Sequence, residues 1–258
     1  MKIPKTIHQI WIGDHPMPTA LKDCIKTVRE KHPSWDYVLW TDDNLPENFS
    51  LRREYEGVRG HQGLCDSNPN VELGRKGDVL RMEVLWKYGG VYLDTDVEAL
   101  KPIDELLNEH ELVMGYEHRS WTGAAVIAAV AGSKALEAPL SLLKYRHTKR
   151  GFEDIRNELM RSRVGEKQEY ISISPYLGGP GMWNRALWTS RGEYEKTDKV
   201  KFYPPEYFYP WKYRYAKKIK DWIIPSNPDD FLPTQHLIHH FSLTWMKKPD
   251  AWLDQKAK

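Results

Sequence analysis

Two periods govern the apolar positions of this chain. Across residues 6–12 they alternate with polar ones among β-forming types, and Gly13-Asp14 with Pro16 and Pro18 closes the run, which predicts a first strand. Leu21, Cys24, Ile25 and Val28 then recur at helical spacing and predict a helix over residues 19–31, ending before Pro33. Residues 37–40 read as a second short strand, stopped by Thr41-Asp42-Asp43-Asn44. Strand, helix, strand in this order opens an α/β sheet. Residues 46–70 keep no period and read as a loop or small helical excursion over the sheet. Residues 74–88 are helical again, ended by Gly89-Gly90, and residues 91–96 follow as a strand. Residues 112–116 and 124–131 read as further strands and 139–163 as charged helix. A Gly/Pro turn at 178–181, an aromatic-rich stretch to Trp222 and a last strand around residues 236–241 complete the order. No internal repeat or low-complexity tract interrupts it.

The helix and strand in the middle carry charges where apolar residues are expected. At about 100° per residue, Lys76, Glu83 and Lys87 share a stripe predicted to face solvent. Asp78, Arg81 and Leu85 lie opposite, so two charges point into the protein body. Such charges either pair with each other, as the (i, i+3) spacing allows, or bind something. On the following strand a period of two sets Tyr92, Asp94 and Asp96 on one face. Two carboxylates at a strand's carboxyl end repel unless a cation lies between them. Oxygen ligands of this kind suit Mg²⁺ or Mn²⁺, and open α/β sheets bind ligands beyond their strands' carboxyl ends. The other reading is a polar turn with Asp caps. A bare D-x-D is weak; one that follows an apolar strand, a Gly-Gly stop and a helix with inward Asp and Arg is much less so. Haloacid-dehalogenase-type phosphatases also carry D-x-D after an apolar strand, but Glu98 stands where they need Thr or Val.

Composition narrows the class. Basic and acidic residues nearly cancel, 38 against 36, so no overall field draws the chain to nucleic acid. Two cysteines, Cys24 and Cys65, are too few for a disulfide framework and suit a reducing, cytoplasmic setting. Pro4, His8 and Gln9 interrupt the start of the chain as a signal peptide, and no run of apolar residues is long enough to span a bilayer. Eleven Trp and fourteen Tyr supply either a tryptophan-rich core or faces for sugar rings and bases. The basic, aromatic stretch 207–224, with Trp211, Lys217, Lys218, Lys220 and Trp222, reads as a solvated face or as a peripheral contact with the inner face of a membrane. His8, near the core of the first strand, reads as a backbone-bonded structural residue.

The run Gly77-Asp78-Val79-Leu80-Arg81, with Lys87-Tyr88-Gly89-Gly90-Val91-Tyr92-Leu93-Asp94-Thr95-Asp96-Val97-Glu98, resembles the signature of glycosyltransferase family 32. These DXD-containing sugar transferases are related to initiating mannosyltransferases and, more distantly, to large glucosylating toxins. Further matching pieces are residues 3–13, Leu177-Gly178-Gly179-Pro180-Gly181, Tyr207-Phe208-Tyr209-Pro210, and His239-His240 followed by Trp245. The resemblance implies an α/β fold of the GT-A type: a Rossmann-like, mostly parallel central sheet flanked by helices. It also implies one transferase domain over residues 1–258, with a nucleotide-sugar half (1–100) and an acceptor-side half (101–258).

Its implied activity is transfer, with retention of configuration, from a UDP- or GDP-sugar to a glycan or lipid-linked saccharide, with Mn²⁺ or Mg²⁺ as cofactor. A toxin-like transfer to a protein is the alternative within the class, and a metal-dependent phosphohydrolase the alternative outside it. The resemblance puts Ile10, Trp11, Asp78, Arg81, Asp94, Thr244 and Trp245 on the donor, with Trp11 stacked on the base. Asp96 is the implied metal ligand, and Asp94, Asp96 and Arg81 form the catalytic set. The segment with His239 and His240 supplies the remaining metal contact. Alternation puts these two on opposite faces, and we assign His240. Gly179, Pro180 and Gly181 read either as a plain turn or as lining on the acceptor side. The chain departs from the family pattern at Thr122-Gly123-Ala124-Ala125, where members often carry Asn.

Overall fold

The computed structural model describes residues 2–57, 69–118, 121–161, 174–194, 199–210 and 232–241. Its first strand, β1 (Thr6–Ile10), leads into helix α1 (Thr19–Lys31), which buries Leu21, Cys24 and Val28, three of the four positions its spacing marked, and leaves Ile25 half-buried. Strand β2 (Asp36–Trp40) returns parallel to β1. A short helix α2 (Arg52–Gly57) and the long α3 (Pro69–Tyr88) follow, then β3 (Gly90–Leu93), β4 (Val97–Ala99) and α4 (Asp104–Leu107). The hairpin β5 (Leu112–His118) and β6 (Trp121–Ala129) leads to α5 (Glu137–Arg146) and α6 (Lys149–Arg161), two helices where one charged stretch was expected. Beyond them lie α7 (Ser174–Leu177), α8 (Pro180–Tyr194), β7 (Val200–Tyr203), α9 (Pro205–Phe208) and β8 (Leu237–His239).

Six strands form the central sheet in the order β2-β1-β3-β6-β5-β7. β1 is parallel to β2 and β3, β6 is antiparallel to β3 and β5, and β7 is parallel to β5. Five strands therefore point the same way, and their carboxyl ends share one edge. On one face, α3 and α8 join the sheet in a core that includes Leu80, Leu85, Ile127 and Trp183; on the other, Val28, Val97, Phe208, Tyr209 and Leu237 pack together. Among the described residues no helix is long and apolar enough to cross a membrane.

The helix-to-strand joint between α3 and β3 depends on two glycines. Gly89 has φ +66° and Gly90 φ +91°, and the Gly89 N–H bonds back to Leu85 O at 3.0 Å. A side chain on Gly90 would stand 2.5 Å from the Thr6 carbonyl, so only glycine lets β3 start against β1.

The solvent stripe expected on α3 is not one. Glu83 is fully buried, because the chain between β2 and α2 lies across that side of the helix. Its carboxylate accepts the Ser50 N–H at 2.8 Å, the Ser50 hydroxyl at 2.6 Å and the Leu51 N–H at 3.1 Å. Lys87 donates to the Glu47 carbonyl, and Lys76 pairs with Glu72 at 3.7 Å. The charges that were to face water instead tie the α2 excursion to α3. The strand expected over residues 91–96 also ends early, at Leu93; the Val97 N–H bonds to Asp94 O at 3.1 Å, so Asp94-Thr95-Asp96 is a turn between two strands.

Candidate active site

That turn is fixed at its backbone from both sides. The Asp94 N–H donates to Ala125 O on β6 at 2.9 Å, and the Gln9 side-chain amide donates to Asp94 O at 3.0 Å. Gln9, fully buried on β1, is itself held by the Tyr37 hydroxyl at 2.9 Å. The Asp94 side chain is divided between two neighbourhoods. Oδ1 accepts the Tyr92 hydroxyl at 2.7 Å and lies 3.7 Å from the Arg81 guanidinium, while Oδ2 faces His239 Nε2 at 3.7 Å.

Arg81 is the cation of the site. It is buried, lies 4.8 Å from the Tyr92 ring centre, pairs with Asp78 and donates to the Ala124 carbonyl, while its Nε has no hydrogen-bond partner among the described residues. Both readings of the inward charges thus meet: Asp78 and Arg81 do pair, and the same guanidinium reaches Asp94. Asp78 is gripped from outside by the glycine turn before α8. A Cβ on Gly178 would stand 2.7 Å from the Asp78 Cβ, and one on Gly179 would stand 3.4 Å from its Oδ2. The turn Gly178-Gly179-Pro180-Gly181 is therefore joined to Asp78.

The histidine comes from far along the chain. β4 continues directly from the turn and pairs antiparallel with β8, with Val97 opposite His239. This register brings His239 Nε2 to 3.3 Å from Asp96 Oδ1. The assignment to His240 is corrected here: its ring points to the other face and bonds Glu98 Oε2 at 3.0 Å. Asp94, Asp96 and His239 each offer one ligand atom, and these atoms lie within 4.8 Å of one another. Burial lifts the Asp94 carboxyl above its usual range, and Asp96 pushes it further in the same direction against the pull of Arg81 and His239. Burial also works against a His239 cation, but Asp96, Asp94 and Glu117 outweigh it and raise the imidazole. Two oxygens and one imidazole nitrogen around a shared space fit a divalent cation of the Mn²⁺ or Mg²⁺ kind.

His239 rests on a platform not apparent in the sequence. Tyr209 lies flat on the sheet because β5 and β6 present glycines there: a Cβ would stand 3.0 Å from its ring at Gly115 and 2.3 Å at Gly123. The Tyr209 hydroxyl accepts the Val126 N–H at 3.1 Å, and the His239 ring meets Tyr209 edge-on at 5.7 Å. Phe241 closes the other side, 4.1 Å from His239 between ring centres.

Trp11 stands just past the end of β1, partly exposed, with its indole N–H on the His15 carbonyl at 2.9 Å; Ile10 is buried in the core under α3. Thr244 and Trp245, assigned to the donor, lie outside the described residues, as do Cys65 and the basic residues 211–224. The family Asn missing near Thr122 has a neighbour in Asn184 of α8, whose amide bonds the Thr122 N–H at 2.9 Å and carbonyl at 3.0 Å. His8 is structural as expected: one ring nitrogen accepts from Trp40 Nε1 at 3.1 Å, the other meets Gly89 O at 3.0 Å, and burial holds its pKa down at about 4.

Residues 18–113 match the family described as the glycosyltransferase sugar-binding region containing DXD motif. The chain is 32% identical over 117 residues to inositol phosphoceramide mannosyltransferase 1 of Schizosaccharomyces pombe, covering 44% of this chain and 34% of that protein. It is 28% identical over 203 residues to subversion of eukaryotic traffic protein A of Legionella pneumophila, covering 70% of this chain and 31% of that protein. It therefore spans about a third of the length of these curated relatives. Among solved structures, the PaToxG glycosyltransferase superposes with a TM-score of 0.53 at 18% identity, over 76% of this chain and 72% of that one. The fold is the GT-A type, with the mostly parallel sheet that the sequence implied. Residues 18–113, with the DXD turn among them, are thus similar to the glycosyltransferase sugar-binding region containing a DXD motif.

Proposed function

We propose that this protein is a retaining, metal-dependent glycosyltransferase that moves a sugar from a UDP- or GDP-sugar to a glycan or lipid-linked saccharide. The observation that carries the reading is the convergence of Asp94, Asp96 and His239 from two distant segments on one small space beside Arg81. Asp96 and His239 would hold Mn²⁺ or Mg²⁺, with Asp94 beside them. Bound there, the cation supplies Lewis-acid stabilisation of charge on the departing diphosphate.

This chain's own residues account for the rest. As the anomeric C–O bond to phosphate breaks and a bond to the acceptor oxygen forms, negative charge builds on the diphosphate. Arg81 is a buried cation already fixed by Asp78 and Ala124 O, so it meets that charge with little reorganisation, a contribution of about 2–4 kcal/mol. Asp78 and Asp94 offer acceptor oxygens to hydroxyls of the ribose and donor sugar. Trp11, at the carboxyl edge beside β2, offers a face for the base.

A thermal-shift and turnover screen with UDP, GDP, UDP-glucose and GDP-mannose, each with and without Mn²⁺, tests the reading. Stabilisation by one nucleoside diphosphate that requires Mn²⁺, together with slow release of sugar from its conjugate, is the expected result. Indifference to all four, with turnover of a simple phosphate ester, would turn the assignment to the phosphohydrolase instead.

A further inference from the structure

The mechanism above leaves one charged residue near the site unused. Glu117 lies near the carboxyl end of β5, on the same edge of the sheet as the Asp94 turn that ends β3, with only β6 between the two strands. Neighbouring strands are about 4.8 Å apart, so two side chains one strand removed can converge on a ligand the size of a sugar ring. The face it occupies is set by its own strand. Val113 packs in the core with Phe208 and Tyr209, and a Cβ on Gly115 would press on the same two rings, so the odd positions of β5 turn toward the Tyr209 platform. The electrostatics agree: the Glu117 charge acts on His239 and on Tyr209, and that of Asp94 acts on Glu117.

Three features separate this carboxyl from a structural one. It makes no hydrogen bond or ion pair with another described residue, unlike Glu83, whose carboxylate accepts three bonds. It stands outside the group of atoms that can share a metal, so it is not a fourth ligand. Its position also costs the fold something: burial pushes its pKa up to about 7, and Asp94 adds repulsion against the relief given by His239. A residue kept for packing alone would be apolar or neutral there.

We propose that Glu117 is a sugar-binding residue, accepting a hydroxyl group of a saccharide held between the Asp94–His239 cluster and the end of β5. A carboxylate oxygen is a strong acceptor for a sugar O–H, and a partner-free one pays little to switch to it. The hydroxyl can belong to the transferred sugar or to the acceptor. The assignment rests on the transferase reading, and the test keeps the two apart.

Glu117→Ala and Glu117→Gln in the full chain are compared with wild type in three measurements. These are Mn²⁺-dependent binding of UDP and GDP by calorimetry, hydrolysis of UDP-glucose and GDP-mannose, and transfer to methyl glycosides. Nucleoside diphosphate affinity is expected to stay within about twofold in both variants, because Glu117 is neither a metal ligand nor a base contact. Glu117→Ala is expected to lower kcat/KM about ten- to a hundredfold, the usual loss for a hydrogen bond to a charged group, and Glu117→Gln less. A loss already present in hydrolysis assigns the hydroxyl to the donor sugar; a loss confined to transfer assigns it to the acceptor. Both rates within twofold of wild type in Glu117→Ala would overturn the proposal, and so would a parallel loss of nucleotide binding. Wild type that binds neither UDP nor GDP with Mn²⁺ overturns the transferase reading itself and this assignment with it.

Discussion

Gly123→Ala adds one methyl group at the point where packing and chemistry meet. Gly123 has no left-handed backbone to protect, so any effect must come from space. The new Cβ would stand 2.3 Å from Tyr209 Cζ and 2.4 Å from its hydroxyl oxygen. Carbon contacts are comfortable at about 3.5–4.0 Å, so the ring must retreat by more than about 1 Å. It has nowhere to go: Tyr209 is 1% exposed, and its hydroxyl is tied to the Val126 N–H. Overpacking of this kind costs about 1–3 kcal/mol, and loss of the hydroxyl bond adds about 1 kcal/mol, so about 2–4 kcal/mol of stability should go. Because His239 packs edge-on against Tyr209, a displaced ring also moves a ligand of the proposed metal site.

Gly77→Ala is the matched control. Gly77 sits inside α3, and a Cβ there meets nothing within 4 Å. The same substitution should stabilise by about 1 kcal/mol, because Ala is the better helix former. Urea unfolding of both variants reads the stability, and Mn²⁺ titration in the presence of UDP or GDP reads the site. The expected pattern is opposite signs in stability and weakened Mn²⁺ binding in Gly123→Ala alone. A Gly123→Ala protein within about 0.5 kcal/mol of wild type would refute the platform argument, since that is the scatter of ordinary surface substitutions.

Three further outcomes follow from the geometry. His239→Ala should lose Mn²⁺ affinity while His240→Ala keeps it, because only the first faces Asp94 and Asp96; equal losses in a Mn²⁺ titration would reverse the assignment. Gly178→Ala should push Asp78 off Arg81 and lower turnover more than unfolding stability; unchanged kinetics would show that the turn does not seat Asp78. His8 should stay neutral in the folded state well below its ordinary range, with a pKa of about 4. The unfolded chain then binds more protons, so this residue's contribution is present above about pH 6.5 and is lost toward pH 4, by about 3 kcal/mol in all. An NMR titration of the His8 ring with a midpoint above 6 would contradict that.

Much of the fold is legible in the sequence because it is local. The spacing of Leu21, Cys24 and Val28 and the Gly89-Gly90 stop are short-range signals, and α1 and the end of α3 lie where these put them. What failed was decided by pairing across distance. Periodicity says that His239 and His240 face opposite ways, but only the register of Val97 with His239 says which one meets Asp96. Glu83 looked solvent-facing because nothing in α3 reveals that Ser50 and Leu51 will close over it. Glu117 had a usable signal that went unread: a lone carboxyl near the end of an apolar strand, the same setting that drew attention to Asp94. The Tyr209 platform had none, since Gly115 and Gly123 acquire meaning only when β5 and β6 lie side by side.

The charges of the site call for a cation before any ligand is considered. Asp78, Asp94, Asp96 and Glu117 are four carboxyls set against one guanidinium, Arg81, and one imidazole, His239. With all four carboxyls ionised, the excess is three negative charges if the imidazole is neutral and two if it is protonated. Asp94, Glu117 and His239 are all shifted upward, the response of a cluster that takes up protons where positive charge is missing. A divalent cation and the protons on Asp94 and His239 therefore compete, and Mn²⁺ binding must release protons. The sign is fixed: raised pKa values mean more protons to displace as pH falls, so Mn²⁺ affinity should rise with pH as Asp94 and His239 give theirs up. Calorimetry in two buffers of different ionisation enthalpy counts the protons released. Mn²⁺ binding that releases no protons, at an affinity flat from pH 5.5 to 8, would mean that the carboxyls are ionised without the ion and that something else balances them.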